Sequence, residues 1–210
     1  MNNEKWKLAL QESLIDLPGE DAHMEMIPYR KPSSSFKLKY NAAKHSAVMC
    51  LIFEKNNELF GLLMERTEDG GKHSGQISFP GGKKELTDQN LQETALRETH
   101  EEIGINHNTV SVLGALTSVY IPVSNFLVQP FIGTIEHDFE LNLSQVEVKS
   151  VFDFSIKDLL NPESKKLQTI KNHKGVNMEN IPCFVLSNRN VWGATAVILN
   201  EIKCIFQNVK

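Results

Sequence analysis

Trp6, Leu10 and Leu14 recur every four residues over 4–16, which predicts an amphipathic helix ended by Pro18-Gly19. Residues 17–44 lose that period: they are polar and turn-rich, with Pro28, Pro32 and the serines Ser33, Ser34 and Ser35, and read as a connecting arm. Ala47 to Phe53 is an unbroken apolar run, the pattern of a buried strand. Asn56-Asn57 then supplies a turn and Leu59 to Met64 a second strand, so the two form a hairpin. A loop begins at Gly70-Gly71, and a short strand, Gln76 to Phe79, is cut off by Pro80-Gly81-Gly82. A long helix follows from about Asn90 to Ile103, with Gly104 as its C-terminal stop. Apolar, β-branched stretches come next at 110–119, 126–135 and 146–154, then a strand at 182–186 and a closing helix at 193–206.

Strands interspersed with two or three helices predict a mixed α/β sandwich. The expected division is 1–40 for the N-terminal helix and arm and 41–210 for the domain proper. At 210 residues the chain suits one domain with additions, and it has no internal repeat or low-complexity tract. Lys plus Arg number 22 against 26 Asp plus Glu, a net charge of -4. That balance excludes a global electrostatic case for nucleic acid or an anionic membrane. Cys50, Cys183 and Cys204 are too far apart for a CxxC pair and read as reduced core residues of a cytoplasmic protein. The N-terminus shows no signal-peptide pattern, and no apolar run reaches the roughly 20 residues of a membrane span. The apolar face of helix 4–16 could cover a homodimer interface.

The candidate chemistry lies in Gly81-Gly82 and the helix behind it. At about 100° per residue, with Glu98 at zero, Glu102 falls near +40° and Glu101 near −60°. The three carboxylates therefore share one side of the helix, next to an apolar stripe that includes Ala95 and Ile103. They repel one another unless a cation neutralises them, and a hard divalent ion with oxygen ligands is the natural partner. Arg97 can pair with Glu101 at i+4 or with Glu93 at i−4. Gly81-Gly82 allows backbone to approach a ligand closely. Phe79 reads either as core or as a base-stacking platform and is counted with the substrate-facing residues. His73 reads as a loop residue and His100 as a surface residue. No zinc-ligand spacing or G-x-S-x-G context exists.

Gly82, Asp88 six positions on, and Arg97-Glu98-x-x-Glu101-Glu102-x-Gly104-Ile105 resemble the Nudix box, Gly-x5-Glu-x7-Arg-Glu-U-x-Glu-Glu-x-Gly-U. Asp88 replaces the first Glu, eight residues instead of seven precede Arg97, and Thr99 stands where the box has an apolar residue. The longer spacing is similar to that of the coenzyme A pyrophosphatase branch. So is the run Leu62-Leu63-x-x-Arg66-Thr67 leading to Gly75-Gln76-x-x-Phe79-Pro80-Gly81-Gly82. Looser matches are Ser124 to Pro130, Glu147-Val148-x-x-Val151-Phe152 and Trp192 to Ala196. Where that branch has Leu-Arg, this chain has Gly70-Gly71, followed by Lys72 as a substitute point charge.

The resemblance implies a Nudix fold, an α/β/α sandwich with a mixed β-sheet, and hydrolysis of a nucleoside diphosphate derivative with Mg²⁺ or Mn²⁺. It implies Glu98 and Glu102 as metal ligands, Glu101 as a further ligand or the base, and Arg97 as their partner. Glu147 is a candidate downstream carboxylate. Arg66, Lys72, Phe79, Gly81 and Gly82 are the implied substrate contacts. For the coenzyme A branch the products are 3′,5′-ADP and (acyl-)4′-phosphopantetheine. ADP-ribose, an NDP-sugar or a dinucleoside polyphosphate are alternative substrates. A nucleotide-binding module without catalysis is a further alternative, disfavoured by the intact set of box glutamates.

Overall fold

The computed structural model describes residues 3–209 except 41, 69, 72, 137 and 172–174. In chain order, α1 (Asn3–Ser13), α2 (Gly19–Met24), a 3-10 turn (Ser33–Phe36) and α3 (Lys37–Tyr40) precede the hairpin β1 (Lys44–Lys55) and β2 (Glu58–Arg66). Short strands β3 (Ile77–Ser78) and β4 (Gly81–Lys83) lead into α4 (Leu91–Ile103). Then come β5 (Ser111–Ala115), β6 (Val119–Ile121), β7 (Phe126–Thr134), β8 (Val148–Ser155) and α5 (Ile156–Leu160). The chain closes with β9 (Lys165–Lys171), β10 (Asn177–Leu186), β11 (Arg189–Trp192) and α6 (Gly193–Asn208).

Eight strands form one mixed sheet with the path β3-β2-β1-β7-β5; β4 also pairs β1, β6 pairs β7 and β8 pairs β2. β1 and β7 run parallel, from Lys44 opposite Phe126 to Ile52 opposite Thr134, and the other pairings are antiparallel. The apolar run in β1 follows from burial on both faces. Cys50 and Ile52 enter the core shared with α1, α5 and α6. Ala47, Met49, Leu51 and Phe53 enter the opposite core with Ala95 and Ile103 of α4. The sheet is thus sandwiched between helices, with α4 alone on the side that carries the glutamates.

Two parts of the sequence reading change. The arm at 17–44 contains α2, the 3-10 turn and α3, and buries Ala22, His23, Met26 and Ile27. A second sheet, in the order β11-β10-β9, meets the sequence expectation only in the C-terminal half of β10. The dimer reading of α1 also changes: Trp6 and Leu10 are buried in the chain's own core, so the apolar face is already covered. Cys50 and Cys183 are buried free thiols and Cys204 is half-buried.

Candidate active site

Helix α4 is fixed at both ends. The Asn90 side chain accepts the Glu93 N–H at 3.0 Å, and the Glu93 carboxylate reaches back to the Gln89 N–H at 2.8 Å. At the other end Gly104 takes a left-handed φ of 80° and its N–H bonds the His100 carbonyl at 2.9 Å. Thr99, the polar residue at a usually apolar box position, is buried with its hydroxyl satisfied by the Ala95 carbonyl at 2.6 Å.

Strand β4 lies against β1, with Ala47 opposite Gly82 and Val48 opposite Gly81. This brings both glycines onto α4. The Gly81 N–H donates to Oε2 of Glu102 at 2.7 Å. A Cβ on Gly82 would overlap the Glu98 carboxylate, and one on Gly81 would overlap the Ala47 carbonyl. The glycine step is therefore required by close approach at both residues.

The three glutamates differ in exposure. Glu102 is 1% exposed, Glu98 14% and Glu101 54%. The roughly 100° between Glu101 and Glu102 on a helix explains the split. It turns Glu102 toward the apolar stripe and the glycines, and Glu101 toward solvent. Glu101 binds Nη1 of Arg97 at 2.8 Å, the i+4 partner expected from spacing. Arg97 also contacts Glu98 at 3.0 Å and donates to the Lys83 carbonyl at 3.1 Å.

Asp88 anchors the other side of Arg97, with bonds of 2.9 and 3.0 Å to its two oxygens. It further accepts from the Thr94 hydroxyl and the Glu85 N–H. The guanidinium contact, with those two hydrogen bonds, holds the Asp88 carboxyl far below the usual carboxylate range. Asp88 therefore fixes the arginine.

Glu102 is pushed up to about 7, first by burial and then by Glu98 and Glu147, against the Gly81 N–H and Arg66, which lower it. Burial also raises Glu98, with Glu101 and Glu147 adding to the effect against Arg97. Glu147 is thus close enough to act on both. Its loop is tied to the end of β2: the Thr67 N–H donates to the Glu147 carbonyl at 3.0 Å and the Thr67 hydroxyl to that of Val146 at 2.6 Å.

The remaining sequence candidates divide. Arg66 faces Glu102 at 3.1 Å. Phe79 is 3% exposed and sits in the core with Leu63 and Phe184, so it presents no ring for stacking. That corrects its place among the substrate contacts: just past the end of β3, its side chain packs into the core. Lys72 lies outside the described residues. His73 bonds Gln76 within its loop at 3.1 Å, and His100 is exposed. The Arg66–Glu102 pair had no local sequence signal, since its members are 36 positions apart.

Among the described residues, no group of three or more His, Cys, Asp and Glu side chains is already gathered to hold a cation. The donor chemistry nonetheless fits one. Glu98 and Glu102 are oxygen donors withdrawn from water, and burial, Glu147 and a neighbouring box glutamate (Glu101 for Glu98, Glu98 for Glu102) all oppose their ionisation. A hard divalent cation relieves all three effects.

Residues 43–171 match the NUDIX domain family. Two relatives are described as uncharacterized Nudix hydrolases NudL. The Klebsiella pneumoniae protein is 35% identical over 141 residues, 67% of this chain and 72% of its own. The Yersinia enterocolitica protein is 29% identical over 163 residues, 78% of this chain and 82% of its own. The crystal structure of a MutT protein from Methanosarcina mazei has a TM-score of 0.51 at 20% identity, over 80% of this chain and 96% of that one. A MutT/nudix family protein from Enterococcus faecalis gives 0.50 at 15%, over 89% and 74%. Both share the fold. With the glycine step, Asp88–Arg97 and the Glu98/Glu102 pair in place, the chain belongs to the Nudix hydrolase family and is a pyrophosphohydrolase.

Proposed function

We propose that the substrate is coenzyme A or an acyl-coenzyme A, cut in its diphosphate to 3′,5′-ADP and (acyl-)4′-phosphopantetheine. One observation carries this reading. The segment Leu62 to Gly82, whose motif resembles the coenzyme A branch, itself builds the side of the site that faces α4. Its Arg66 and Gly81 bind Glu102, and its Gly82 lies against Glu98.

The reaction is attack of water on one phosphorus with departure of the other phosphate. Glu98 and Glu102 would hold Mg²⁺ or Mn²⁺, with Glu101 or Glu147 as further ligand. The bound ion supplies charge neutralisation and a more acidic water. Glu101, exposed and paired with Arg97, would accept the proton of the attacking water. Arg97, locked by Asp88, orients Glu98 and Glu101. Gly82 keeps the surface beside Glu98 free of side chains, so a diphosphate can approach. No described helix is long and apolar enough to cross a membrane.

The test is a product assay by liquid chromatography and mass spectrometry. Coenzyme A, ADP-ribose, an NDP-sugar and a dinucleoside polyphosphate are offered in parallel with Mg²⁺. Fastest release of 3′,5′-ADP and 4′-phosphopantetheine supports the proposal. Intact coenzyme A with another diphosphate cleaved refutes it and moves the activity to a different nucleoside diphosphate derivative, the direction in which Gly70-Gly71 points.

A further inference from the structure

Arg66 was expected to face a substrate, yet its guanidinium faces Glu102. Nη1 lies 3.1 Å from Oε1, while Oε2 takes the Gly81 N–H at 2.7 Å. Both carboxylate oxygens are therefore engaged. The arginine side chain is 28% exposed and the glutamate 1%, so the arginine forms the water-facing half of the pair. Arg97 is different: two bonds to Asp88 and one to the Lys83 carbonyl fix it in place.

We propose that Arg66 is a displaceable counter-ion, which neutralises Glu102 in the metal-free enzyme and is released to the substrate diphosphate when a divalent cation takes its place. The proposal rests on the reading of Glu102 as a cation ligand. A carboxylate buried this deeply is costly to leave charged and unpartnered, and Arg66 supplies the positive group when no ion does. A guanidinium and a divalent ion cannot share Oε1 without repelling each other at contact distance. Once displaced, the planar fork of Arg66 matches phosphate oxygens better than a point charge does. Cation and diphosphate then promote each other's binding, because each draws one member of the pair away.

The test measures Mn²⁺ binding to the intact protein without substrate, from the electron paramagnetic resonance signal of free Mn²⁺. It also measures binding of adenosine 5′-(α,β-methylene)diphosphate at saturating Mn²⁺. Arg66→Gln should bind Mn²⁺ about tenfold more tightly than wild type, the scale of one hydrogen bond to a charged group. The same variant should bind the diphosphate probe about tenfold more weakly. Arg66→Lys keeps the counter-charge without the fork, so Mn²⁺ affinity should return toward wild type while the probe still binds weakly. Mn²⁺ binding in Arg66→Gln that is unchanged or weaker would show that Arg66 merely orients Glu102, and would overturn the proposal. Glu102→Gln separates the two levels: full Mn²⁺ affinity there would remove the ligand reading and this proposal with it. Loss of Mn²⁺ in that variant, with unchanged binding in Arg66→Gln, would overturn the proposal alone.

Discussion

Replacing Glu102 by Gln should stabilise the metal-free protein while nearly abolishing its activity. The substitution keeps the shape, and the amide oxygen can still accept one of the two hydrogen bonds, at the cost of setting its NH2 against the other donor, which makes the gain worked out here an upper bound. What it removes is a buried charge. Glu102 sits at about 7 in the folded protein against 4.5 for an unperturbed glutamate. Below pH 4.5 the group is neutral in both states and the difference has no effect. Between 4.5 and about 7 the unfolded chain ionises first, so the wild type loses stability as pH rises. Above that range the full difference applies, about 3 kcal/mol at 1.36 kcal/mol per unit. The Gln variant escapes this loss. Urea unfolding in EDTA should therefore show it more stable than wild type by up to about 3 kcal/mol at pH 8, with the gap closing toward pH 4.5. In melting temperature that is roughly 6–12 °C for a chain of this size. Excess Mg²⁺ should narrow the gap at pH 8 by binding the wild-type folded state. Turnover should fall by at least about 10², the scale for losing one charge-stabilising group. A gap that does not depend on pH, or a variant less stable than wild type at pH 8 in EDTA, would refute the reasoning.

Gly82→Ala should leave the melting temperature nearly unchanged yet lower kcat/KM by about tenfold or more, because its methyl displaces the Glu98 carboxylate; an unaffected rate would show that this carboxylate needs no fixed position. Arg97→Lys keeps the charge but loses the two bonds to Asp88, so kcat should drop with little change in KM; steady-state kinetics decide. His23→Ala removes the 3.0 Å partner of buried Glu201, which then keeps only the Thr117 N–H among the described residues, and should destabilise the fold by about 1–3 kcal/mol, measured by urea unfolding.

The sequence was most readable where one local rule decides the outcome. α4 announces itself by its period, by Asn90 and Gly104 at its ends, and by the i+4 pair of Arg97 and Glu101. The strand at Ala47–Phe53 could be read because both its faces are buried. What stayed hidden depends on contacts far along the chain. β9 has only Leu167 and Ile170 as apolar residues, and its partner β10 begins with the polar Asn177. The arm's inward face is irregular because Pro28 interrupts it, and its key contact joins His23 to Glu201 on α6. Angular arithmetic grouped three glutamates because helix geometry alone cannot say which direction is inside. The sheet and glycine step decide that, and they divide Glu102 from Glu101.

That division assigns different physical work to neighbouring carboxylates. Asp88 is buried with a guanidinium and two hydrogen bonds, so it stays ionised and serves as an anchor. Glu102 is buried with weaker compensation and two acidic neighbours, so its charged form is held at a disadvantage. Glu101, on the water side of Arg97, is paired with the same guanidinium but left exposed. A site that would accept a doubly charged ion and then a diphosphate is served by all three conditions: a fixed arginine, a carboxylate whose charge is incompletely compensated, and an exposed carboxylate beside them. The chain obtains them from a single turn of helix by covering one side with Gly81-Gly82 and leaving the other open. The instability stored in Glu102 is therefore the same quantity that would favour the cation, and removing one should remove the other.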